Sequence, residues 1–310
     1  MSVNKKAFEG VVTPMVTPFT ADGVIDRQAL QRLVDHLVDG GVSGIFLMGT
    51  TGEGASMPVA MQHELIRLAA EYIAGRTKLF VHVADSCLDR SIELGKFAAE
   101  CGADYAVAAL PYYFSLTQEE IVAYYTRLAD NLSLPLFLYN IPAQTKMMIS
   151  VASVKALAVH PNIIGMKDSS GNGTYFNTLL AEIKPEHPDF AIMVGPDEML
   201  ASTMALGGNG GVNSGSNIFP RLYVELFKAV KASDSARISK LQAIVMKVST
   251  LIYSVDNTPV SFMKGLKAAM ASLGLIRNCV IAPLHPATEE ASSTIAANTA
   301  AIRNLIDEVL

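Results

Sequence analysis

Near its midpoint the sequence reads Ile163-Ile164-Gly165-Met166-Lys167, an apolar run closed by a lysine. A short run of this kind is typical of a strand buried in a parallel sheet. Burial disfavours the charged form of a lysine, so Lys167 at the end of such a strand can act as an amine nucleophile toward a ketone. The alternative is a lysine that extends its ammonium group into solvent. The run therefore predicts a strand that ends in either a Schiff-base lysine or a solvated one.

Similar apolar runs lie on both sides of this strand, and each is followed by residues with a helical period. The first candidate helix, for example, repeats apolar residues from Ile25 to Leu37 and is closed by Gly40 and Gly41. Eight candidate strands result, at residues 10–16, 44–48, 78–83, 105–108, 135–139, 163–167, 190–194 and 210–212. Strands that alternate with helices pair in parallel through right-handed crossovers, and eight such units close a barrel. We therefore expect an α/β fold, a (β/α)8 TIM barrel, over residues 1–232.

An open doubly wound sheet is the alternative arrangement of these elements. It would bind a nucleotide at a glycine-rich turn after the first strand, but no G-x-G-x-x-G follows that strand. From about residue 233 onward the pattern predicts three helices instead, at residues 234–254, 259–273 and 286–309. We expect them to form a C-terminal helical domain, residues 233–310, that packs against the barrel.

The composition limits the classes of function. The net charge of −5 gives no basic surface for nucleic acid, and no segment has the sustained hydrophobicity of a membrane span. Three widely spaced cysteines and the lack of a histidine pair at ligand spacing indicate neither a disulfide framework nor a metal site. His82, between two valines, is predicted to be a core histidine. The N-terminal residues lack the apolar region of a signal peptide, so we expect a cytoplasmic protein that handles small molecules.

Polar side chains follow the ends of several candidate strands, where a barrel of this type carries its chemistry. Thr50 and Thr51 follow the second strand, within Gly49-Thr50-Thr51-Gly52-Glu53, and Tyr113 follows the fourth. Two adjacent hydroxyls and the amides between glycines suit a carboxylate, although loop chemistry alone also explains such a turn. Tyr139 ends the strand next to that of Lys167, so it is either a core tyrosine or a group that moves protons as a carbinolamine forms and collapses.

Four motifs, in this order and spacing, resemble those of one enzyme family: GTTGE at 49–53, PYY at 111–113, YNIP at 139–142 and GMKDSS at 165–170. They are similar to the dihydrodipicolinate synthase and N-acetylneuraminate lyase superfamily, and the similarity covers essentially the whole chain. The resemblance implies a (β/α)8 barrel with a helical C-terminal domain, usually assembled as a homotetramer that is a dimer of dimers. It also implies a class I aldolase mechanism on a 2-oxo acid such as pyruvate, without a cofactor.

The resemblance also implies which residues react. Lys167 would form the Schiff base with the 2-oxo carbon, and Tyr139 would act as the acid and base. Thr51 and Tyr113 would relay protons to Tyr139. Tyr113 would do so by reaching across a tight-dimer interface.

Other matching positions concern substrate binding. Thr50 and Thr51 would hold the carboxylate, and the backbone carbonyl of Val212 would face the pyruvyl group. In the synthase branch, the segment after Y-N-x-P carries an arginine that clamps the carboxylate of the second substrate. Gln144 stands at that position and cannot make a charge-assisted fork, while Lys146, where the pattern has glycine, could reach the mouth of the site. This departure weakens the synthase interpretation.

Three further positions indicate a polyol substrate. The segment Gly195-Pro196-Asp197-Glu198 resembles the G-x-D-E of sialic acid lyases, in which the two carboxylates accept hydrogen bonds from sugar hydroxyls, and Ser214 lies at the matching distance. Ser169 supplies another hydroxyl two residues after Lys167. The alternative for Asp197 and Glu198 is the first turn of a helix, where the helix dipole favours acidic residues.

We therefore expect a metal-independent lyase or aldolase that cleaves or forms the carbon–carbon bond of a 2-oxo-3-deoxy sugar acid. The compound could resemble N-acetylneuraminate or 2-keto-3-deoxy-gluconate or -galactonate. The alternatives are a dihydrodipicolinate synthase, a dehydratase that uses the same imine, and a barrel that binds a sugar acid without turnover.

Overall fold

The structure, a computed structural model, describes residues 7–310. Eight parallel strands form a closed barrel in which each strand pairs with its neighbours in chain order. The strands are β1 (Gly10–Pro14), β2 (Gly44–Leu47), β3 (Lys78–His82), β4 (Tyr105–Ala109), β5 (Leu136–Asn140), β6 (Ile163–Asp168), β7 (Ala191–Val194) and β8 (Gly210–Val212). The predicted (β/α)8 barrel is therefore confirmed.

Helices surround the strands and continue beyond the barrel. Those between and after the strands are α1 (Arg27–Asp39), α2 (Val59–Ile73), α3 (Leu88–Glu100), α4 (Gln118–Asp130), α5 (Pro142–Thr145), α6 (Val151–Ala158), α7 (Gly173–Ile183), α8 (Leu200–Ala205) and α9 (Pro220–Lys231). Three more form the C-terminal helical region, namely α10 (Ser235–Ile252), α11 (Ser261–Ser272) and α12 (Glu289–Asp307). These match the three predicted helices to within a few residues.

Two of the predicted strand ends differ in a way that bears on the candidate site. β5 and β6 each run one residue further than predicted, to Asn140 and Asp168, because these two residues remain paired and their side chains bond each other. β1 ends two residues earlier than predicted, at Pro14. The two extended strands are those that carry Tyr139 and Lys167.

The barrel closes where β8 pairs with β1, and glycine is required there. Gly210 pairs with Gly10, and its φ of +140° is one that other residues rarely adopt. A Cβ on Gly210 would lie 1.9 Å from the carbonyl oxygen of Gly10. Asn217 reinforces the closure, because its Nδ2 donates to the carbonyl of Pro14 at 2.9 Å and its Oδ1 accepts from the amide of Val16 at 3.0 Å. The first and last strands are thus joined by close backbone approach and by a side-chain bridge.

Alternation along the strands divides the buried apolar residues into two cores. One fills the barrel interior and includes Phe46, Phe80, Phe137, Tyr139 and Val212. The other lies between the strands and the helices and continues into α10, α11 and α12. Because that core is continuous, the division into a barrel domain, residues 1–232, and a helical domain, residues 233–310, stays a prediction. Residues 1–6 of the predicted barrel domain lie outside the part of the chain that the structure describes. No helix within residues 7–310 is long and apolar enough to cross a membrane, and the cytoplasmic location stays a prediction.

A buried ion pair joins α11 to the turn after β2. The side chains of Lys267 and Glu53 are 0% and 1% exposed, and their charged groups are in direct contact. Lys267 Nζ also donates to the carbonyls of Thr17, at 2.9 Å, and Cys279, at 2.8 Å, while Glu53 Oε2 accepts from the amide of Ile281 at 2.9 Å. Burial lowers the pKa of the Lys267 ammonium, and the charge of Glu53 opposes that shift. Both charges are therefore compensated within the core.

Replacing Lys267 with alanine should lower the free energy of unfolding by about 3–5 kcal/mol, because it leaves the Glu53 carboxylate buried without a counterion. Denaturant unfolding followed by circular dichroism would measure the loss. Lys155→Ala, which breaks the solvent-exposed pair with Glu186, is the matched control and should lower stability far less, since water screens that pair. Equal losses for the two variants would show that the buried pair does not stabilise the fold.

Candidate active site

Lys167 and Tyr139 lie side by side at the carboxyl ends of β6 and β5. The two residues are paired in register, and Lys167 is 6% exposed. Its Nζ lies 4.2 Å from the centroid of the Tyr139 ring and 5.1 Å from that of Phe46. Aromatic faces attract a cation, so the ammonium form has favourable partners even though it is shielded from water. The alternative of a lysine that extends into solvent is therefore wrong.

A hydrogen-bonded lock on the outer face of the same strands fixes this register. Asn140 Nδ2 donates to Asp168 Oδ1 at 2.8 Å, and Asn140 Oδ1 accepts from the amide of Ile149 at 3.1 Å. The amide and hydroxyl of Ser170 donate to the same carboxylate at 3.1 and 3.0 Å. Burial raises the pKa of Asp168, and the hydrogen bonds from Asn140 and Ser170 oppose that rise. Because successive strand residues point to opposite faces, the lock holds Tyr139 and Lys167 toward the interior without contacting the substrate space.

His82 completes the group of rings around the lysine. Its ring centroid lies 5.9 Å from that of Tyr139 and 6.1 Å from that of Phe46, and its Nε2 accepts from the amide of Ala109 at 3.4 Å. Burial lowers the pKa of His82 to about 4, and the charge of Lys167 acts in the same direction. His82 is thus neutral near pH 7 and adds no like charge beside the lysine.

Sequence reasoning predicted His82 as a core histidine, whereas the structure places it at the wall of a cavity. The alternation with Val81 and Val83 was a signal for its place on the interior face. The pattern could not predict that an open cavity lies in front of this residue at the carboxyl end of β3. His82 is the candidate-site residue that the motifs did not indicate.

The cavity, of about 340 Å³, lies above the carboxyl ends of β2 to β5. Its wall includes polar groups at Thr50, His82, Tyr139 and Gln144. The remaining wall is largely apolar, and part of it comes from the start of α11, with Val260, Phe262 and Met263. The C-terminal helical region therefore helps to shape the space in front of Tyr139.

The turn after β2 brings Thr51 to a residue from the other end of the barrel. Thr51 is buried, and its Oγ1 lies 3.1 Å from Ser214 Oγ, in the turn that follows β8. The hydroxyl of Thr17 donates to the carbonyl of Gly52 at 2.8 Å and holds the turn against β1. Thr51 and Ser214, which are 163 residues apart in the chain, are therefore neighbours.

Two further predicted residues, Val212 and Ser169, lie near this group, and so does Asn213. Val212 belongs to the same interior cluster as Phe46 and Tyr139. Ser169 follows Lys167 and lies against Gly195, because a Cβ on Gly195 would be 2.1 Å from Ser169 Oγ. Asn213, which had no predicted role, donates from Nδ2 to the carbonyl of Gly195 at 3.0 Å and so joins the turns after β7 and β8.

Asp197 and Glu198, the two carboxylates that the sequence predicts as sugar ligands, both accept hydrogen bonds from other parts of the chain. Asp197 is 3% exposed, and its oxygens accept from two amides and from the hydroxyls of Tyr223 and Tyr253. Glu198 is exposed and accepts from Ser249 Oγ on α10. The sequence resembles G-x-D-E, but the tyrosines and the serine that engage these carboxylates come from distant helices.

Two other predicted residues do not reach the cavity within one chain. Tyr113 is 77% exposed in the loop between β4 and α4, where its ring packs edge-on against Phe114 at 4.9 Å. Lys146 Nζ donates to the carbonyl of Ala143 at 2.7 Å, so it bends back along α5 instead of extending over the mouth. Gln144, in contrast, stands at the cavity wall where the resemblance predicts it. Within residues 7–310, no group of three or more His, Cys, Asp or Glu residues could hold a metal ion.

Comparison with known proteins agrees with the motifs. The model of the dihydrodipicolinate synthetase family matches residues 7–302. The probable 2-dehydro-3-deoxy-D-pentonate aldolase YjhH of Escherichia coli K12 is 31% identical over 94% of this chain and 96% of its own length. Among solved structures, dihydrodipicolinate synthase from Bacteroides thetaiotaomicron is 40% identical with a TM-score of 0.91, over 95% of this chain and 98% of that one. YagE from E. coli K12, solved in complex with pyruvate, is 29% identical with a TM-score of 0.91, over 96% of this chain and 99% of that one.

A family match over nearly the whole described chain, together with a lysine and a tyrosine paired at the carboxyl ends of adjacent barrel strands, confirms the predicted resemblance. The chain therefore belongs to the dihydrodipicolinate synthetase family and is a Schiff-base lyase or aldolase of that family.

Proposed function

We propose that the protein is a pyruvate-dependent aldolase that cleaves or forms the C3–C4 bond of a 2-oxo-3-deoxy sugar acid. The observation that carries the proposal is the position of Lys167 Nζ, buried and 4.2 Å from the centroid of the Tyr139 ring. An amine placed in this way can attack a carbonyl while the neighbouring phenol supplies and removes protons. The naming of one relative as a pentonate aldolase and the pyruvate bound by another support the same chemistry.

The reaction follows from the imine. Lys167 adds to the C2 carbonyl, and water leaves with protons handled by Tyr139. The protonated imine then accepts the electron pair of the C3–C4 bond as a base removes the proton of the C4 hydroxyl, which releases an aldehyde. The enamine that remains is protonated at C3 and hydrolysed to pyruvate and free lysine. The lysine itself supplies the electron sink, so the sequence of steps calls for no cofactor. Thr50 and Thr51 hold the carboxylate.

The walls of the cavity favour a short sugar acid over a long one. Gln144 offers an amide where a synthase has an arginine, and an amide suits a hydroxyl better than a carboxylate. Asp197 and Glu198 are engaged by tyrosines and by Ser249, so they leave the outer hydroxyls of a long substrate without acceptors. The 2-dehydro-3-deoxy-D-pentonate of the relative's name is an acid of the favoured size.

Dihydrodipicolinate synthase is the second candidate function. The 40% identity to a protein of that name favours it. The synthase uses the same imine, but its second substrate, aspartate semialdehyde, carries a carboxylate that Gln144 cannot pair ionically. The two functions therefore differ in their aldehyde and share their lysine.

The proposed enzyme is completed by a second copy of the chain. Tyr112, Tyr113 and Phe114 are 60%, 77% and 74% exposed and form an apolar patch beside the cavity mouth. Patches of this kind mark contact surfaces. In the proposed dimer, which pairs again into a tetramer, Tyr113 of each copy reaches the Tyr139 of its partner and extends the proton relay.

Borohydride reduction in the presence of pyruvate should attach a stable adduct to Lys167, because only an imine can be reduced in this way. Mass spectrometry of the digested protein would locate it. Lys167→Ala should abolish both the adduct and turnover, while Lys146→Ala, which removes a lysine beside the cavity-wall residues Gln144 and Thr145, should retain the adduct. An adduct on any other lysine, or none in the wild type, would refute the proposal.

Tyr139→Phe should lower kcat by about 10²- to 10⁴-fold, the usual contribution of a positioned acid or base, while its ring still fills the interior. Pyruvate release from a sugar acid, followed with a coupled dehydrogenase, measures the change. The control is Tyr175→Phe, because that hydroxyl donates to the carbonyl of Ile149 on the outer side of the barrel. If the two variants have similar kcat values, Tyr139 is a packing residue.

Gln144→Arg should raise kcat/KM for aspartate semialdehyde about 10- to 100-fold, because it supplies a charge-assisted hydrogen bond of about 1.5–3 kcal/mol. The same variant should use a 2-oxo-3-deoxy sugar acid less well than the wild type. Kinetics of both substrates with both proteins test this. A wild type that condenses the semialdehyde efficiently and ignores sugar acids would establish the synthase instead.

A further inference from the structure

One carboxylate on the wall of the cavity has a free oxygen. Glu53 and Asp85 are acidic residues of that wall. Glu53 is engaged by Lys267 and by the amide of Ile281. Asp85, in the loop after β3, is partly buried, and its Oδ1 accepts from the amide of Cys87 at 2.8 Å. Within residues 7–310, its Oδ2 has no hydrogen-bond or ion-pair partner, so this oxygen is available to a ligand in the cavity.

The backbone around Asp85 is held in place from two sides. The amide of Asp85 donates to Ser91 Oγ at 2.9 Å, and Ser91 is fully buried on α3. Two residues earlier, the amide of Val83 donates to the carbonyl of Val107, on β4, at 2.9 Å. Together with the bond to Cys87, these contacts fix the carboxylate before any ligand arrives. A ligand that bonds to such a preorganised acceptor needs little ordering of the protein.

Asp85 and Tyr139 line the same cavity, and Gln144 lines it as well. Asp85 comes three residues after His82, whose ring centroid lies 5.9 Å from that of Tyr139. Three residues of chain span at most about 11 Å, so Asp85 cannot lie far from the phenol that serves the reaction. An aldehyde that reacts beside Tyr139 thus places its outer atoms in the space that Asp85 lines.

The charge of Asp85 decides which aldehydes suit the cavity. Much of the remaining wall is apolar and includes Leu110, Ile141 and Phe262. A carboxylate in such surroundings favours a hydroxyl that donates to it, and a charge-assisted bond of this kind is stronger than one between neutral groups. A second carboxylate in the same space is repelled, because water screens the two charges less there than in bulk solvent. The cavity therefore favours a hydroxyaldehyde over an aldehyde that carries an acid group.

We propose that Asp85 selects the aldehyde, because its Oδ2 accepts a hydrogen bond from a hydroxyaldehyde and repels the carboxylate of aspartate semialdehyde. The inference rests on the proposed function and deepens it, since it names the group that distinguishes the two candidate substrates. For a 2-oxo-3-deoxy pentonate the aldehyde is glycolaldehyde, and the hydroxyl that donates is the one at C5. Asp85 thus takes the role that the sequence predicted for Asp197 and Glu198.

Glycolaldehyde and acetaldehyde, which differ by that one hydroxyl, test the first half of the proposal. In condensation with pyruvate, Asp85→Ala should lower kcat/KM for glycolaldehyde about 10- to 100-fold, through loss of a charge-assisted hydrogen bond. The same variant should leave kcat/KM for acetaldehyde nearly unchanged, because acetaldehyde offers no hydroxyl. A role confined to holding the loop predicts equal losses for the two aldehydes. Equal losses, or no loss with glycolaldehyde, overturn the proposal.

Asp85→Asn tests the charge, because the side-chain amide oxygen can still accept from the amide of Cys87. This variant should raise kcat/KM for aspartate semialdehyde about fivefold, the effect of removing one like charge at close range. The matched control is Asp89→Asn, four residues further along, whose side chain is 76% exposed in the first turn of α3. It removes the same charge at the protein surface and should change kcat/KM for neither aldehyde. No rise in Asp85→Asn, or an equal rise in Asp89→Asn, contradicts the proposed repulsion.

Borohydride trapping with pyruvate alone separates this inference from the function on which it rests. Pyruvate lacks the aldehyde part of the substrate, so the wild type and both Asp85 variants should form the adduct to the same extent, and circular dichroism should show them folded. A wild type that forms no adduct, or that forms it but condenses no hydroxyaldehyde, overturns the proposed function and the inference together. Trapping in every protein, with a substrate preference that does not depend on Asp85, overturns the inference alone.

Discussion

The buried ion pair between Glu53 and Lys267 is the constraint on which the position of the turn after β2 depends. Glu53 comes two residues after Thr51 and has a φ of +59°, a conformation that is unfavourable for a residue with a side chain. It is held there by Lys267 and by the amide of Ile281, both from the C-terminal helical region. Moving the turn would separate two charges in the core, which costs several kcal/mol. The turn that carries the Thr50 and Thr51 hydroxyls is therefore fixed from outside the barrel as well as from within it.

The parts of the molecule that could be predicted from the sequence are those in which elements that follow one another in the chain are also neighbours in the fold. Successive strands of a barrel are neighbours, so two apolar runs that end in Tyr139 and Lys167 imply that these side chains meet. The period of the apolar residues also places the helices, since each must bury one face. The lock between Asn140 and Asp168 follows the same logic, although its polar residues gave no separate signal.

The parts that could not be predicted depend on partners that the local pattern does not contain. Asp197 resembles a sugar ligand until Tyr223 and Tyr253, 26 and 56 residues further along, are seen to donate to it. A carboxylate in a turn suits either role, and only the packing of α9 and α10 decides between them. The cavity above His82 is a similar case, because an alternating strand predicts which face a residue occupies but not whether space remains in front of it.

Ribosomal synthesis proceeds from the N-terminus, so Glu53 is made long before Lys267, its partner in the ion pair. All eight strands have been made once Val212 is joined to the chain, but the amide of Ile281, which donates to Glu53, is 228 residues beyond that carboxylate. Until α11 has left the ribosome, Glu53 has no counterion, and its carboxylate keeps its hydration water. A nascent barrel can pair its strands while the Thr50–Thr51 turn is still without its anchor. A segment that is synthesised 228 residues after Glu53 thus completes the turn after β2, and this turn takes its final form only after α11 and Ile281 have been made.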